Sequence, residues 1–186
     1  MDTSAWAREV RDHVIWPTLD WLGPPFDDLA AVQLICMTDA HESWFVHLRQ
    51  VARFDAGRPV FGPARGLGQM EPPTLADNLN WARRAGGVSR TLWEKLQLWT
   101  GGHMPADRLM GDMVFATIAA RIHYWRRPEA LPAAGDVDGL AGYAKKYWNT
   151  HLGAATEADY ADAFRTLFPP TAWRPDRIFR TDLAAT

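Results

Sequence analysis

The sequence predicts a mainly α protein, a single domain across all 186 residues, with one small β-hairpin near residues 53–61. Three observations carry this. Apolar residues recur at helical spacing in most segments between glycine and proline stops. Residues 53–61 instead read as two short extended pieces about an Asp55-Ala56-Gly57 turn. The composition, 47% apolar and 23% charged, is that of an ordinary globular chain long enough to bury a core.

Taken in order, residues 3–22 form an amphipathic helix with Trp6, Val10, Val14, Ile15 and Leu19 on one face, and Pro17 kinks it or ends its first half. Gly23-Pro24-Pro25 is a stop. Asp27 or Asp28 then N-caps a buried helix to residue 40, with Leu29, Val32 and Cys36 aligned. A short third helix is expected through Trp44, Leu48 and Val51. After the hairpin, Thr74 caps a helix to Arg84, which Gly86-Gly87 breaks. Residues 88–99 make the next, with Leu92, Leu96 and Trp99 on a shared face, closed by Gly101-Gly102. Asp107 starts the strongest helix, reaching Trp125 and apolar nearly all round, so it is expected to be the central one. Pro128 and Pro132 follow it. Residues 137–149 form a further helix and 150–153 a turn. Thr156 and Asp159 have capping-box spacing and open a helix to about Phe168. The core is expected over about 26–168, with an extended tail, 169–186, packing through Trp173 and Phe179.

Bulk properties exclude several function classes. A net charge of −2 gives no electrostatic case for nucleic acid. The single cysteine, Cys36, lies in an apolar helical pattern and reads as core. No stretch has the length of a membrane span, and the N-terminal residues lack the apolar region of a secretory signal. Of six histidines only His41 and His47 lie close together, at a spacing that makes no zinc site, so neither metal nor cofactor is expected.

The chemistry concentrates between Asp39 and Thr74. Glu42 falls at the end of the second helix, where the helix dipole disfavours another anion, and it neighbours Trp44 and Phe45. Its pKa should be raised, as a general acid requires. A glycine-rich segment follows, Gly62-Pro63-Ala64-Arg65-Gly66-Leu67-Gly68-Gln69-Met70-Glu71-Pro72, whose bare backbone would let a ligand approach its amides. Asp55 and Glu71 are the candidate second carboxylates of this stretch. Trp44 and Trp148 are the tryptophans placed to reach a cleft.

Glu42-Ser43 followed by Gly66-Leu67-Gly68-Gln69-Met70 resembles the soluble lytic transglycosylases and goose-type lysozymes of the lysozyme-like superfamily. Gly66, Leu67 and Gln69 match that family's Gly-Leu-Met-Gln turn, Gly68 replaces its Met, and Ala64 stands two places ahead. The Gly-Pro-Ala-Arg-Gly segment is similar to one in a lysozyme-like group of bacteriophage proteins. Tyr147-Trp148-Asn149 loosely resembles the family's late Ala-Tyr-Asn-Ala-Gly segment, with Trp148 where Tyr is usual. The resemblance implies a lysozyme-like fold and cleavage of the MurNAc–GlcNAc β-1,4 bond of peptidoglycan, with Glu42 as catalytic acid. Ser43, Gly66, Leu67, Gln69, Met70, Glu71, Tyr147, Trp148 and Asn149 would bind the glycan strand, and Tyr147 could orient the carboxyl. In the transglycosylases one carboxyl suffices, because the substrate's N-acetyl and 6-hydroxyl groups serve as nucleophiles. The phage likeness implies a virion protein acting in the host periplasm or cell wall, with other virion proteins as possible partners. The alternatives are an inactive lysozyme-like virion subunit, an endolysin, and a chitinase-like hydrolase.

Overall fold

The computed structural model describes residues 2–149 and 154–173. Among the described residues the protein is mainly helical with one two-stranded antiparallel hairpin. Helices α1 (Thr3–Val10) and α2 (Trp16–Leu22) are joined by a π-helical turn, Arg11–Ile15. That turn is where the chain accommodates Pro17: the backbone stays helical through Ile15 and Trp16, and the wider i−5 bonding ends just before the proline, which has no N–H to donate. Asp28, not Asp27, caps α3 (Leu29–Ser43), its carboxylate accepting from the Ala31 amide at 2.6 Å. Strands β1 (Arg49–Asp55) and β2 (Arg58–Arg65) extend the hairpin beyond residues 53–61 on both sides, about the expected turn.

Helix α4 (Pro72–Arg84) has Glu71 at its N-cap position, three residues before the expected cap Thr74, with Pro72 and Pro73 in its first turn, where proline fits best. A 3-10 turn, Gly87–Ser89, leads into α5 (Arg90–Thr100), which Gly101 closes in the left-handed region. The expected 107–125 helix is two: α6 (Arg108–Gly111) and α7 (Met113–Trp125). The break is Asp112, whose extended backbone lets its carboxylate cap the Phe115 amide while also binding Arg108 and the Trp99 indole. Helix α8 (Val137–Ala144) passes into a second π turn, Lys145–Asn149, and α9 (Glu157–Leu167) starts with the full Thr156–Asp159 capping box. The expected 150–153 turn and the tail beyond Trp173, with Phe179, lie outside the described residues.

No third helix runs through Trp44. Trp44 and Phe45 both take left-handed backbone angles, φ 53° and 57°, a conformation L-residues adopt reluctantly. The Trp44 amide ends α3 on the Ala40 carbonyl, and Trp6 Nε1 fixes the Phe45 carbonyl at 3.1 Å. Phe45 is thereby buried against Phe168, and the chain turns into β1.

The central helix is α3 rather than the 107–125 segment. Twelve of its fifteen residues are buried, on every side, under α7, α8, α9 and the α1–α2 turn. The core also reaches further toward the N-terminus than residue 26, since Ala7, Val10, Ile15, Leu19 and Leu22 belong to it. Cys36 is fully buried there as a free thiol. Buried Arg121 ties the loop before α3 to α7, donating to the Phe26 carbonyl at 2.8 Å. Among the described residues no helix is long and apolar enough to cross a membrane.

Candidate active site

Glu42 sits in the last turn of α3, inside the helix rather than past its end, and is half-buried. Burial pushes its carboxyl above the ordinary range, and a hydrogen bond from Tyr160 pulls it partway back. The Tyr160 hydroxyl donates to Glu42 Oε1 at 2.7 Å across 118 residues. Tyr160 is itself buried, stacked on His41 with centroids 3.9 Å apart, and hydrogen-bonded by the Asn149 side chain. Burial lowers the pKa of His41, opposed by nearby Asp159, so the imidazole against Tyr160 is neutral at pH 7. Tyr160, not Tyr147, is thus the hydroxyl that holds the carboxyl. The Tyr147 hydroxyl lies with Glu129 and Lys146 on another side of the π turn.

The glycine segment forms a tight loop closed by paired hydrogen bonds between Arg65 and Met70, 2.9 and 3.0 Å. Each residue has a reason to be there. Arg65 donates to the carbonyls of Gly62 and Pro63 and to Asp107, so the guanidinium holds its own approach strand. Gly66 has φ +73°, and a Cβ there would meet the Leu109 carbonyl oxygen at 2.8 Å. Gln69, also left-handed at φ 50°, locks the loop by donating to the carbonyls of Gly66 and His47. The amides of Leu67 and Gly68 meet no acceptor among the described residues, leaving two donors at the loop tip.

Gly68 and Trp148 form one unit. Trp148 Nε1 donates to the Gly68 carbonyl at 2.9 Å, and a Cβ on Gly68 would approach the indole Cζ2 to 3.0 Å. The ring fills the space that a side chain at residue 68 would need. Behind the same loop lies Asp39, one turn before Glu42 and 8% exposed. Its carboxylate has no hydrogen-bond partner among the described residues, and Oδ1 would be 3.1 Å from a Cβ on Gly68. It lines a small cavity of about 20 Å³ with Leu67, Met70 and Trp148, room for one water. Burial first, then the charge of Glu42, raises its pKa well above the ordinary aspartate value, which favours the protonated form.

Of the residues expected to bind substrate, Ser43, Leu67 and Met70 are buried at 2%, 5% and 4% exposure and serve as scaffold. Ser43 donates to the Asp39 carbonyl. Gly66, Gln69 and Trp148 shape the loop, and Asn149 supports Tyr160 while accepting from Lys145. Glu71 is exposed at the start of α4, and Asp55 is exposed at the hairpin tip. Trp44, beside Glu42 in sequence, is 46% exposed. Sequence reasoning missed Asp39, the Tyr160 contact and the stack on His41. Asp39 had one available signal: at i, i+3 it shares a helix face with Glu42. Among the described residues no three His, Cys, Asp or Glu side chains gather as metal ligands.

No family model matches the sequence, and no curated protein or solved structure matches it either.

Proposed function

We propose that this protein cleaves the β-1,4 bond between N-acetylmuramic acid and N-acetylglucosamine in peptidoglycan, with Glu42 as general acid and then base. The observation that carries the reading is Glu42 itself: a half-buried carboxyl with a raised pKa, steadied by Tyr160. A raised pKa favours the protonated form that a general acid needs. The lysozyme-like resemblance of Glu42-Ser43 with the Gly66–Met70 loop supplies the substrate class.

In this reading Glu42 protonates the glycosidic oxygen as the C1–O bond breaks. Tyr160 then stabilises the new carboxylate through its hydrogen bond. Glu42 next accepts a proton from the muramoyl 6-hydroxyl as that oxygen bonds to C1, giving a 1,6-anhydro product. If water takes the place of the 6-hydroxyl, the product is a reducing end. Asp39 precedes Glu42 by one turn on the same helix face, so it is not placed to act from the opposite face of the sugar, as a second glycosidase carboxylate must. The intramolecular route therefore fits better. The free amides of Leu67 and Gly68 are donors for a sugar oxygen or acetamido carbonyl.

Zymography on purified peptidoglycan with wild type and Glu42→Gln tests the reading. The substitution should cost about a hundred- to ten-thousand-fold in lysis with the fold intact. Comparable lysis by a folded Glu42→Gln protein removes Glu42 from the role, and a wild type without lysis leaves a virion subunit as the better description. Mass spectra of the products separate anhydro from hydrated ends. The phage likeness further suggests a virion protein, which proteomics of purified particles would detect.

A further inference from the structure

Beyond Trp148 from the glycine loop lies a basic groove of about 430 Å³ that glycan cleavage does not use. Its walls are the start of α4, the end of α7 and the second π turn, with Trp148 shared between loop and groove. Three cations line it, Arg126, Arg127 and Lys146, against one carboxylate, Asp77. Arg126 binds Asp77 at 2.6 Å, and Lys146 reaches out of the groove to Glu129 at 2.5 Å, both of that pair being more than half exposed. Arg127 is held over the Tyr147 ring, and its Nε is buried with no hydrogen-bond partner. Adjacent guanidiniums crowd each other here: burial first, then Arg126, lowers the pKa of Arg127. The groove thus holds surplus positive charge beside two aromatic faces, Tyr147 and Trp148.

We propose that this groove binds the carboxylates of the short acidic peptide carried by each muramic acid residue, so that the protein recognises peptide-substituted glycan. The inference rests on the glycan-cleaving reading, because it is the substrate that places such a peptide next to the loop. An extended peptide spans about 3.4 Å per residue, so four residues cover on the order of 14 Å, and the groove adjoins the loop through their shared Trp148. Guanidinium and ammonium groups are the usual partners of carboxylates, and a groove walled by protein screens them less than open surface does. Glu129 is then the internal competitor, occupying Lys146 until a ligand carboxylate replaces it.

The test is calorimetric titration of Glu42→Gln protein, which leaves the ligand uncut, with GlcNAc–MurNAc-tetrapeptide and with uncharged GlcNAc–GlcNAc. The muropeptide should bind at least about tenfold tighter, as expected for one good charged hydrogen bond. Lys146→Gln should reduce that preference several-fold, and Glu129→Gln should increase it, a gain that a merely structural role would not produce. Equal affinity for the two ligands overturns the proposal, as does a preference that neither variant moves. Failure here alongside wall lysis by the wild type removes the groove and leaves the glycosidase. A muropeptide preference without lysis keeps the groove and removes the catalysis.

Discussion

The Trp148 indole donates to the Gly68 carbonyl at 2.9 Å and lies where a side chain on residue 68 would have to go. The absence of a side chain at residue 68 is what makes room for the ring.

The pair should therefore be coupled in stability. Gly68→Met in the wild type forces the indole aside and should destabilise by about 1–3 kcal/mol. In a Trp148→Ala background the same change should cost much less, with an interaction energy of about 0.5–3 kcal/mol in a double-mutant cycle. Denaturant unfolding of the four proteins measures it, and simple additivity would mean that the two residues are independent.

Tyr160→Phe removes a donor that stabilises the Glu42 anion. The Glu42 pKa, already raised by burial, should rise further, since a hydrogen bond to a charged group favours the charged form. Carbon-13 NMR titration of the glutamate carboxyls reads this directly. If the protein lyses peptidoglycan, the alkaline limb of its pH profile should move up with that pKa. An unchanged titration would mean that the contact contributes nothing in solution.

Asp39 gives a stability prediction of defined sign. Burial, then Glu42, holds its folded pKa above the unfolded value of about 3.9. The native state keeps a proton that the unfolded chain releases, so stability present below about pH 3.9 is lost as pH rises toward the folded pKa. Asp39→Asn carries no ionisable group. It should be more stable than wild type at pH 7 by about 1–3 kcal/mol, with the advantage shrinking toward pH 4. A variant less stable at pH 7 would show that the carboxyl makes a favourable contact.

His123 works in the opposite direction. It is buried in α7, its Nε2 lying 2.7 Å from the Tyr147 carbonyl and 2.6 Å from the Arg127 guanidinium, and its Nδ1 facing the Asn78 amide at 3.3 Å. Burial lowers its pKa to about 4. The unfolded imidazole takes up a proton near pH 6.5, so stability present above that value falls as pH drops toward 4, by about 3 kcal/mol at most. His123→Gln should be less stable at pH 7, and its deficit should shrink over that interval. Parallel pH profiles for the two proteins would refute the assignment.

The sequence alone determined the elements whose causes are local. The Thr156–Asp159 capping box, the Asp55–Gly57 turn, the stop at Gly101 and the helical class all follow from side chains acting within a few residues of themselves. Glu42 and the glycine loop were legible for the same reason: helix-end chemistry and bare backbone leave short-range signals. Tertiary structure decided what depends on partners far along the chain. The left-handed turn at Trp44 and Phe45 exists because Trp6 and Phe168 hold Phe45 in the core. The break at Asp112 depends partly on local capping, but also on the Trp99 indole thirteen residues away. Periodicity made 107–125 look central, yet α3 holds that place, because burial on every side depends on which helices pack around it. Around Glu42, the hydroxyl comes from Tyr160, 118 residues away, and only folding could choose it over Tyr147.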